Sequence, residues 1–371
     1  MNSNNITEPN STNAFSRLIP LGWNETFQAY YASLTNKRGV PARVSGVRKN
    51  SFLVTDGTRE WLTTVSGSLL YRSDALYPAA GDWVLVTDSV INDVFPRTNL
   101  LSRGASGGRG TIDGGAAQEQ VIAANLDTVF IVCGLDHDFN LRRIERYMTL
   151  IYNCGLSPVV VLTKADQHDT PEEFVYKVES VAFGVPVHLV GFEAETGLHE
   201  LHSYFGEGKT VSMIGSSGAG KSTLLNRLAG NEIQLTREIS ESVGKGKHTT
   251  TARDLIMLPQ GGMVIDNPGI REIAFWDSGD GVQSAFPEIE ERAADCRFAD
   301  CTHTNEPGCQ VLAAVASGEI QEERLNSYHK MKRELDYVSQ RQHKSADRIE
   351  KERWKYVALK VKAIKKAQKN G

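Results

Sequence analysis

The sequence predicts a multidomain α/β and β protein: an N-terminal OB-type β-barrel, a central α/β domain with a mainly parallel sheet and flanking helices, and a C-terminal helical, metal-binding region. Three observations predict it. Between Arg38 and Leu101, short β-like runs ("PARVSGV", "SFLVTDG", "REWLTTV", "GSLLYR", "GDWVLVTD") alternate with turn residues and carry no helical period. From about residue 121, apolar strands alternate with helical patterns. Between Cys296 and Cys309, three cysteines and a histidine crowd into a polar stretch bearing Pro and Gly.

In chain order, residues 1–37 begin "MNSNNITEPNSTNAF", which lacks the basic start and apolar core of a signal peptide, and are expected to form a flexible tail. No run approaches the ~20 apolar residues that span a bilayer. A cytoplasmic protein without membrane contact is expected. Residues 38–102 offer about five short strands, the number that closes a small OB-type barrel. Phe52, Trp61, Tyr71 and Trp83 read as its core rather than as a platform for stacking bases. Residues 103–120, "RGASGGRGTIDGGAAQEQ", are Gly-rich without apolar period and read as a linker. Cys133 and Cys154 stand alone in apolar surroundings as buried, reduced fillers.

Residues 121–277 run "LDTVFIVCGL", "LRRIERYMTLIYNCG", "SPVVVLTKAD", "TPEEFVYKVESVAFG" and "VPVHLVG", a βαβ series. Within them, the apolar run Val211 to Ile214 feeds Gly215, Ser216, Ser217, Gly218, Ala219, Gly220, Lys221 and Ser222; Thr223 follows, and Leu224, Leu225 and Leu228 continue at helical spacing. This is G-x-x-x-x-G-K-[ST] between strand and helix, a phosphate-binding loop. Its glycines let backbone N–H groups turn toward phosphate oxygens, Lys221 neutralises β/γ charge, and the Ser222 hydroxyl reaches Mg²⁺. The loop alone implies a nucleoside triphosphate and suits an ABC-type ATPase equally.

The base is read upstream. "SPVVVLTKADQ" ends in Thr163, Lys164, Ala165 and Asp166. A carboxylate at the carboxyl edge of a parallel strand accepts both N1–H and N2–H of guanine, whereas adenine presents no such pair of donors. The Lys164 stem packs along the base plane, so Asp166 selects GTP or GDP. Downstream, "GKGKHTTTARD" offers Thr249, Thr250 and Thr251, of which Thr250 is taken as the hydroxyl for Mg²⁺. "GGMVIDNPGI" ends a strand in Asp266, a further Mg²⁺ ligand, and Gly269, whose N–H senses the γ-phosphate. Base motif, phosphate loop and two switches in this order describe a circularly permuted P-loop GTPase, since joining old ends and cutting elsewhere preserves a sheet. The second switch then leads directly into the C-terminal region. Ile270 stands where a water-orienting glutamine is common, so the isolated protein is expected to hydrolyse GTP slowly. His248 is the candidate to position water, against an equal reading as a surface histidine without catalytic part.

In residues 278–325, Cys296, Cys301, His303 and Cys309 give C-x4-C-x-H-x5-C, enough to fill one structural, tetrahedral Zn²⁺ shell. Residues 326–371 are polar and helix-prone, with Trp354, Val357, Val361 and Ile364 on one stripe. Eleven Lys or Arg lie between Arg341 and Lys369, against Asp347, Glu350 and Glu352, on a chain of net charge −4. A basic tail on an acidic body points to a polyanionic partner.

With barrel, permuted GTPase and Cys3His element in this order, and with "VFPRTNLLSR", "QVIAANLD", "GSSGAGKSTLLN", "KHTTT" and "DNPGIRE", the chain resembles the ribosome small subunit-dependent GTPase A family over roughly Arg38 to Leu325. The resemblance implies a late-acting, monomeric assembly factor. It would bind the immature small ribosomal subunit and its rRNA through barrel and zinc region, be stimulated by that partner, and leave after GTP hydrolysis. Thr163 departs from the usual Asn and is expected to loosen a brace on the phosphate loop. "LVGFEAETGLHEL" lacks the usual Ser-Ala pair, so no base-binding role passes to Gly191 or Phe192. Two readings of other classes stand beside this one. An ATPase is opposed by Asp166 and by the lack of an L-S-G-G-Q signature; a non-enzymatic RNA-binding module would show no turnover dependent on Lys221 and Ser222.

Overall fold

The structure, a computed structural model, describes residues 15–35, 38–71, 76–104, 119–193, 196–230, 253–266 and 281–343. Those residues fall into two compact units, one drawn from the chain through Leu101 and from Val121–Arg271, the other from Ser102–Gln120 and from Glu272 onward.

The first unit begins earlier than the sequence suggested. A 3-10 turn, Ser16–Leu21, leads into α1 (Glu25–Ser33), capped by Asn24, whose side chain accepts from Thr26 N and Phe27 N at 3.0 and 3.3 Å. Leu18, Leu21, Trp23 and Phe27 are buried, and the Trp23 ring meets Trp83 edge-on at 4.8 Å between centroids. The expected flexible tail is therefore folded from Phe15 to Ser33. Pro20 and Gly22 interrupt the apolar pattern, which hid it from periodicity.

The barrel follows as β1 (Val40–Val47), β2 (Phe52–Thr55), β3 (Glu60–Val65), a short α2 (Gly67–Tyr71), β4 (Trp83–Thr87) and β5 (Val90–Val94). Pairings β1–β2, β2–β3, β3–β5, β5–β4 and β4–β1 close the ring. Val44, Phe52, Val54, Leu69, Val84 and Ile91 lie in its core. Phe52 and Trp83 are buried as expected, and Trp61 is half-buried beneath the Arg59 guanidinium, 4.6 Å from its ring centre. Tyr71 is not core: it is 91% exposed, because α2 ends there and turns its last residue to solvent.

Strands β6 (Leu100–Gly104) and β7 (Glu119–Ala124) form a two-stranded sheet. The α/β part contains β8 (Thr128–Gly134), α3 (Leu141–Asn153), β9 (Pro158–Thr163), α4 (Glu172–Glu179), β10 (Val187–Val190), α5 (Leu198–Leu201), β11 (Thr210–Ile214), α6 (Lys221–Ala229), β12 (Arg253–Met257) and β13 (Met263–Asp266). Strands run in the order β10-β9-β8-β11-β13-β12, parallel except β12. β8, β9 and β11 are buried almost throughout, as strands covered on both faces must be. Cys133 sits in β8 with its thiol pushed up to about 11 by burial, and Cys154 is half-buried.

Barrel and α/β part share one sheet, since β12 pairs antiparallel with β1 through Gly46 opposite Asp254 and Val47 opposite Arg253. Buried Arg43 reinforces the joint: Nε donates to Gly81 O at 3.1 Å, Nη2 to Asn125 O at 3.1 Å, and Nη1 to Leu21 O. Burial pulls its pKa down to about 10, against the opposing pull of Asp127 and Asp82.

The second unit contains α7 (Gly281–Ala285), α8 (Pro287–Ala294), α9 (Gln310–Ala316) and α10 (Glu322–His343). Phe286, Ile289, Val311 and Tyr328 fill its interior, and the Arg324 guanidinium lies 4.1 Å over the Phe286 ring while donating to Glu288 at 2.6 Å. The basic segment beyond His343 lies outside the described residues. No described helix is long and apolar enough to cross a membrane.

Candidate nucleotide site and metal centre

In an open parallel sheet, ligands bind beyond the carboxyl ends of the strands. Four of those ends meet here: β8, β9, β11 and β13 lie side by side. After β11 the chain turns through Gly215 (φ 152°), Gly218 (φ 86°) and Gly220 (φ 89°) into α6. A Cβ at Gly215 would come within 2.2 Å of Val132 O, so the strand end admits no side chain there. Lys221 opens α6 and folds back over the loop, its Nζ donating to Gly215 O at 2.8 Å and Ser216 O at 2.5 Å. Burial holds that ammonium below the usual lysine range, with Asp266 and Asp138 opposing. Ser217, Gly218, Ser222 and Thr223 are exposed along the loop and first helical turn, while Ala219 is buried.

Asp266 is the last residue of β13, beside Met213 of β11, which brings the expected Mg²⁺ ligand to the phosphate loop. Thr163 ends β9 and corrects an expectation. Its hydroxyl donates to Ala219 O at 2.7 Å, so the threonine braces the loop rather than loosening it. Lys164 follows in the left-handed region (φ 63°), and its Nζ donates to Gly218 O at 2.8 Å and to Asp136 Oδ2 at 2.7 Å. Asp166 lies exposed in the turn Ala165–Gln167, with Oδ2 accepting from Glu193 N at 2.7 Å. His248, Thr249, Thr250, Thr251, Gly269 and Ile270 lie outside the described residues.

Sequence reasoning missed two contributors. The loop after β8, "GLDHDFN", brings Asp136 to Lys164, and Asp138 to Arg143 and to the Ser216 hydroxyl. The loop after β10, assigned no role, forms a bridge from Gly191 to Thr196; a Cβ at Gly191 would stand 3.2 Å from Asp166 Cβ. Phe192 closes over the phosphate loop: a Cβ at Gly220 would lie 3.0 Å from its ring. The available signal was position, since both loops leave the same sheet edge as the recognised motifs.

In the second unit, one donor atom each from Cys296, Cys301, His303 and Cys309 lies within 4.8 Å of all the others. Cys296 Sγ stands 3.8 Å from Cys309 Sγ, and His303 Nδ1 stands 3.4 Å from Cys309 Sγ and 3.7 Å from Cys296 Sγ. Tetrahedral Zn²⁺, with bonds of about 2.3 Å to sulfur and about 2.0 Å to nitrogen, separates its donors by roughly 3.8 and 3.5 Å. The donor set fits such an ion. Cys309 caps α9, accepting from Leu312 N at 3.4 Å, and His303 takes the left-handed conformation (φ 57°) that turns it inward. The loop is tied by Glu306, which accepts from the Thr302 hydroxyl and from the N–H groups of Thr304, Asn305 and Thr302; these bonds hold its carboxyl well below the usual range.

Similarity to known proteins agrees with this geometry. The RsgA GTPase family model matches residues 94–276. The ABC transporter model matches residues 198–369, a span that contains the phosphate loop. "Small ribosomal subunit biogenesis GTPase RsgA" of Methanosarcina acetivorans is 41% identical over 375 residues, covering 99% of each chain. The protein of the same name from Syntrophotalea carbinolica is 43% identical over 323 residues, covering 85% of this chain and 88% of its own. The crystal structure of YjeQ from Thermotoga maritima matches with a TM-score of 0.58 and 28% identity, over 80% of this chain and 98% of that one. YloQ, described as a circularly permuted GTPase, shares the fold with a TM-score of 0.55 at 22% identity, over 81% and 96% of the two chains. Identity of 41% over nearly the full length of both chains means that this protein belongs to the RsgA GTPase family.

Proposed function

We propose that this protein hydrolyses GTP as a late maturation factor of the small ribosomal subunit, binding rRNA through the barrel and the Cys3His region and leaving after hydrolysis. The observation that carries the enzymatic part is the convergence of Asp166, the Gly215–Ser222 loop and Asp266 on one sheet edge. In this reading Asp166 accepts the guanine N1–H and N2–H, with Thr163 and Lys164 bracing it to the loop. The N–H groups of Ser216 to Thr223 and the Lys221 ammonium hold the phosphates, and the Gly269 N–H senses the terminal one. Ser222, Thr250 and Asp266 hold Mg²⁺, which offsets charge that develops on the phosphates. His248 positions the attacking water, and the hydrocarbon side chain of Ile270 cannot orient it as a glutamine would, so turnover depends on the ribosomal partner.

Cys296, Cys301, His303 and Cys309 hold one structural Zn²⁺, which cross-links the end of α8 to the start of α9 when bound. The protein acts as a cytoplasmic monomer, and the basic segment after α10 adds contacts with RNA phosphate.

The ABC transporter match favours a second reading, an ATPase. One experiment separates them: phosphate release from GTP and from ATP, with Asp166→Asn alongside. Selective GTP turnover that loses its guanine preference in the variant supports the proposal. ATP turnover at a matching rate, unchanged in the variant, supports the ATPase.

A further inference from the structure

We infer that Asp136 is a positioning residue for guanine recognition, acting through Lys164. Lys164 follows β9 in the left-handed region, so its four-carbon stem leaves the strand end sideways. Its ammonium has two acceptors. Gly218 O, at 2.8 Å, belongs to the phosphate loop itself, and Asp136 Oδ2, at 2.7 Å, belongs to the loop that follows the neighbouring strand β8. The two side chains are similarly enclosed, 21% and 22% exposed, so the pair is shielded more than a surface ion pair. Gly134 makes the room: a Cβ there would lie 3.1 Å from Asp136 Oδ1 and 3.4 Å from Lys164 Cε and Nζ. The other Asp136 oxygen accepts from Asp138 N at 2.9 Å, which fixes the carboxylate in a local turn before any ligand arrives.

Asp136 thus pins the end of the lysine whose stem flanks the place where Asp166 reads the base. A stem held in advance loses no rotamer freedom when guanine docks against it. Lys164 meets the phosphate loop through a backbone carbonyl, Gly218 O, so the effect is expected on nucleotide affinity and not on the chemical step. This rests on the reading of Asp166 as the guanine selector.

Asp136→Asn isolates the contact, because the amide oxygen keeps the turn to Asp138 while the new NH₂ cannot accept from an ammonium. Fluorescent GDP and GTP titrations and saturating kcat would be measured on the full chain for Asp136→Asn, Lys164→Ala, the double variant and Gly134→Ala. Asp136→Asn is expected to raise Kd for GDP and GTP by the same factor, about three- to tenfold, with kcat within about twofold. In the Lys164→Ala background it should add little, as expected for one shared contact. Gly134→Ala, which crowds the pair by shape alone, should weaken binding in the same direction. Unchanged Kd in Asp136→Asn, additivity with Lys164→Ala, or a fall in kcat at unchanged Kd would overturn the inference. An Asp166→Asn control that keeps its preference for GDP over ADP would instead overturn the reading of the base site.

Discussion

At Thr163 a single hydroxyl decides between two readings of the same position. Its bond to Ala219 O ties the end of β9 to the phosphate loop across 56 residues of chain. Thr163→Val keeps the volume and removes the donor, leaving a buried carbonyl unpaired at a cost of about 1–3 kcal/mol. The expected result is weaker GDP binding in a fluorescent nucleotide titration, by roughly five- to a hundredfold, with Thr163→Ser close to the parent. The candidate site residues legible in the sequence were those whose pattern is local: Lys221 and Ser222 by spacing, Asp166 by its strand, Cys296 to Cys309 by ligand spacing. Asp136 and Phe192 were not, because each meets its partner 28 residues away and only strand order brings the loops together.

Among the elements, two of the motifs that marked the family, "VFPRTNLLSR" and "QVIAANLD", prove to be joints. In "VFPRTNLLSR", Arg97 forms a fork with Asp82 at 2.8 and 2.7 Å, both side chains buried, and Asp82 also accepts from Ala79 N at 2.7 Å. Burial raises the Asp82 pKa against the pull of Arg97, so the pair holds together only while both members are present. Asn99 then exchanges two bonds of 2.8 Å with the backbone of Leu126 in "QVIAANLD", where the α/β part begins. Arg97→Ala leaves a buried carboxylate unpaired and should cost about 3–5 kcal/mol in urea denaturation, while Arg97→Lys, unable to form the fork, should recover only part of it. Strand patterns announced the barrel and the parallel sheet, but barrel closure rests on a parallel β3–β5 contact of two residue pairs, too short to leave a period. The N-terminal turn and α1 escaped for the same reason: a 3-10 turn broken by Pro20 and a nine-residue helix carry little amphipathic signal.

For the whole molecule, the chain was expected to separate into barrel, GTPase and zinc parts, whereas barrel and GTPase form one compact unit through the β1–β12 pairing and Arg43. Every described nucleotide-site residue belongs to that unit, and every Cys3His residue to the other. Removing the metal with a zinc-selective chelator in excess Mg²⁺, or substituting Cys309→Ser, should lower helix content and the melting temperature of the second unit while GDP affinity stays within about twofold. Loss of GDP binding on chelation would show that the two sites are not independent. The most direct measurement is the rate of phosphate release from GTP with and without purified immature small ribosomal subunits. Slow release alone, rising many-fold with subunits and abolished in Lys221→Ala, is the predicted result. A rate indifferent to subunits would contradict the proposed role in their maturation.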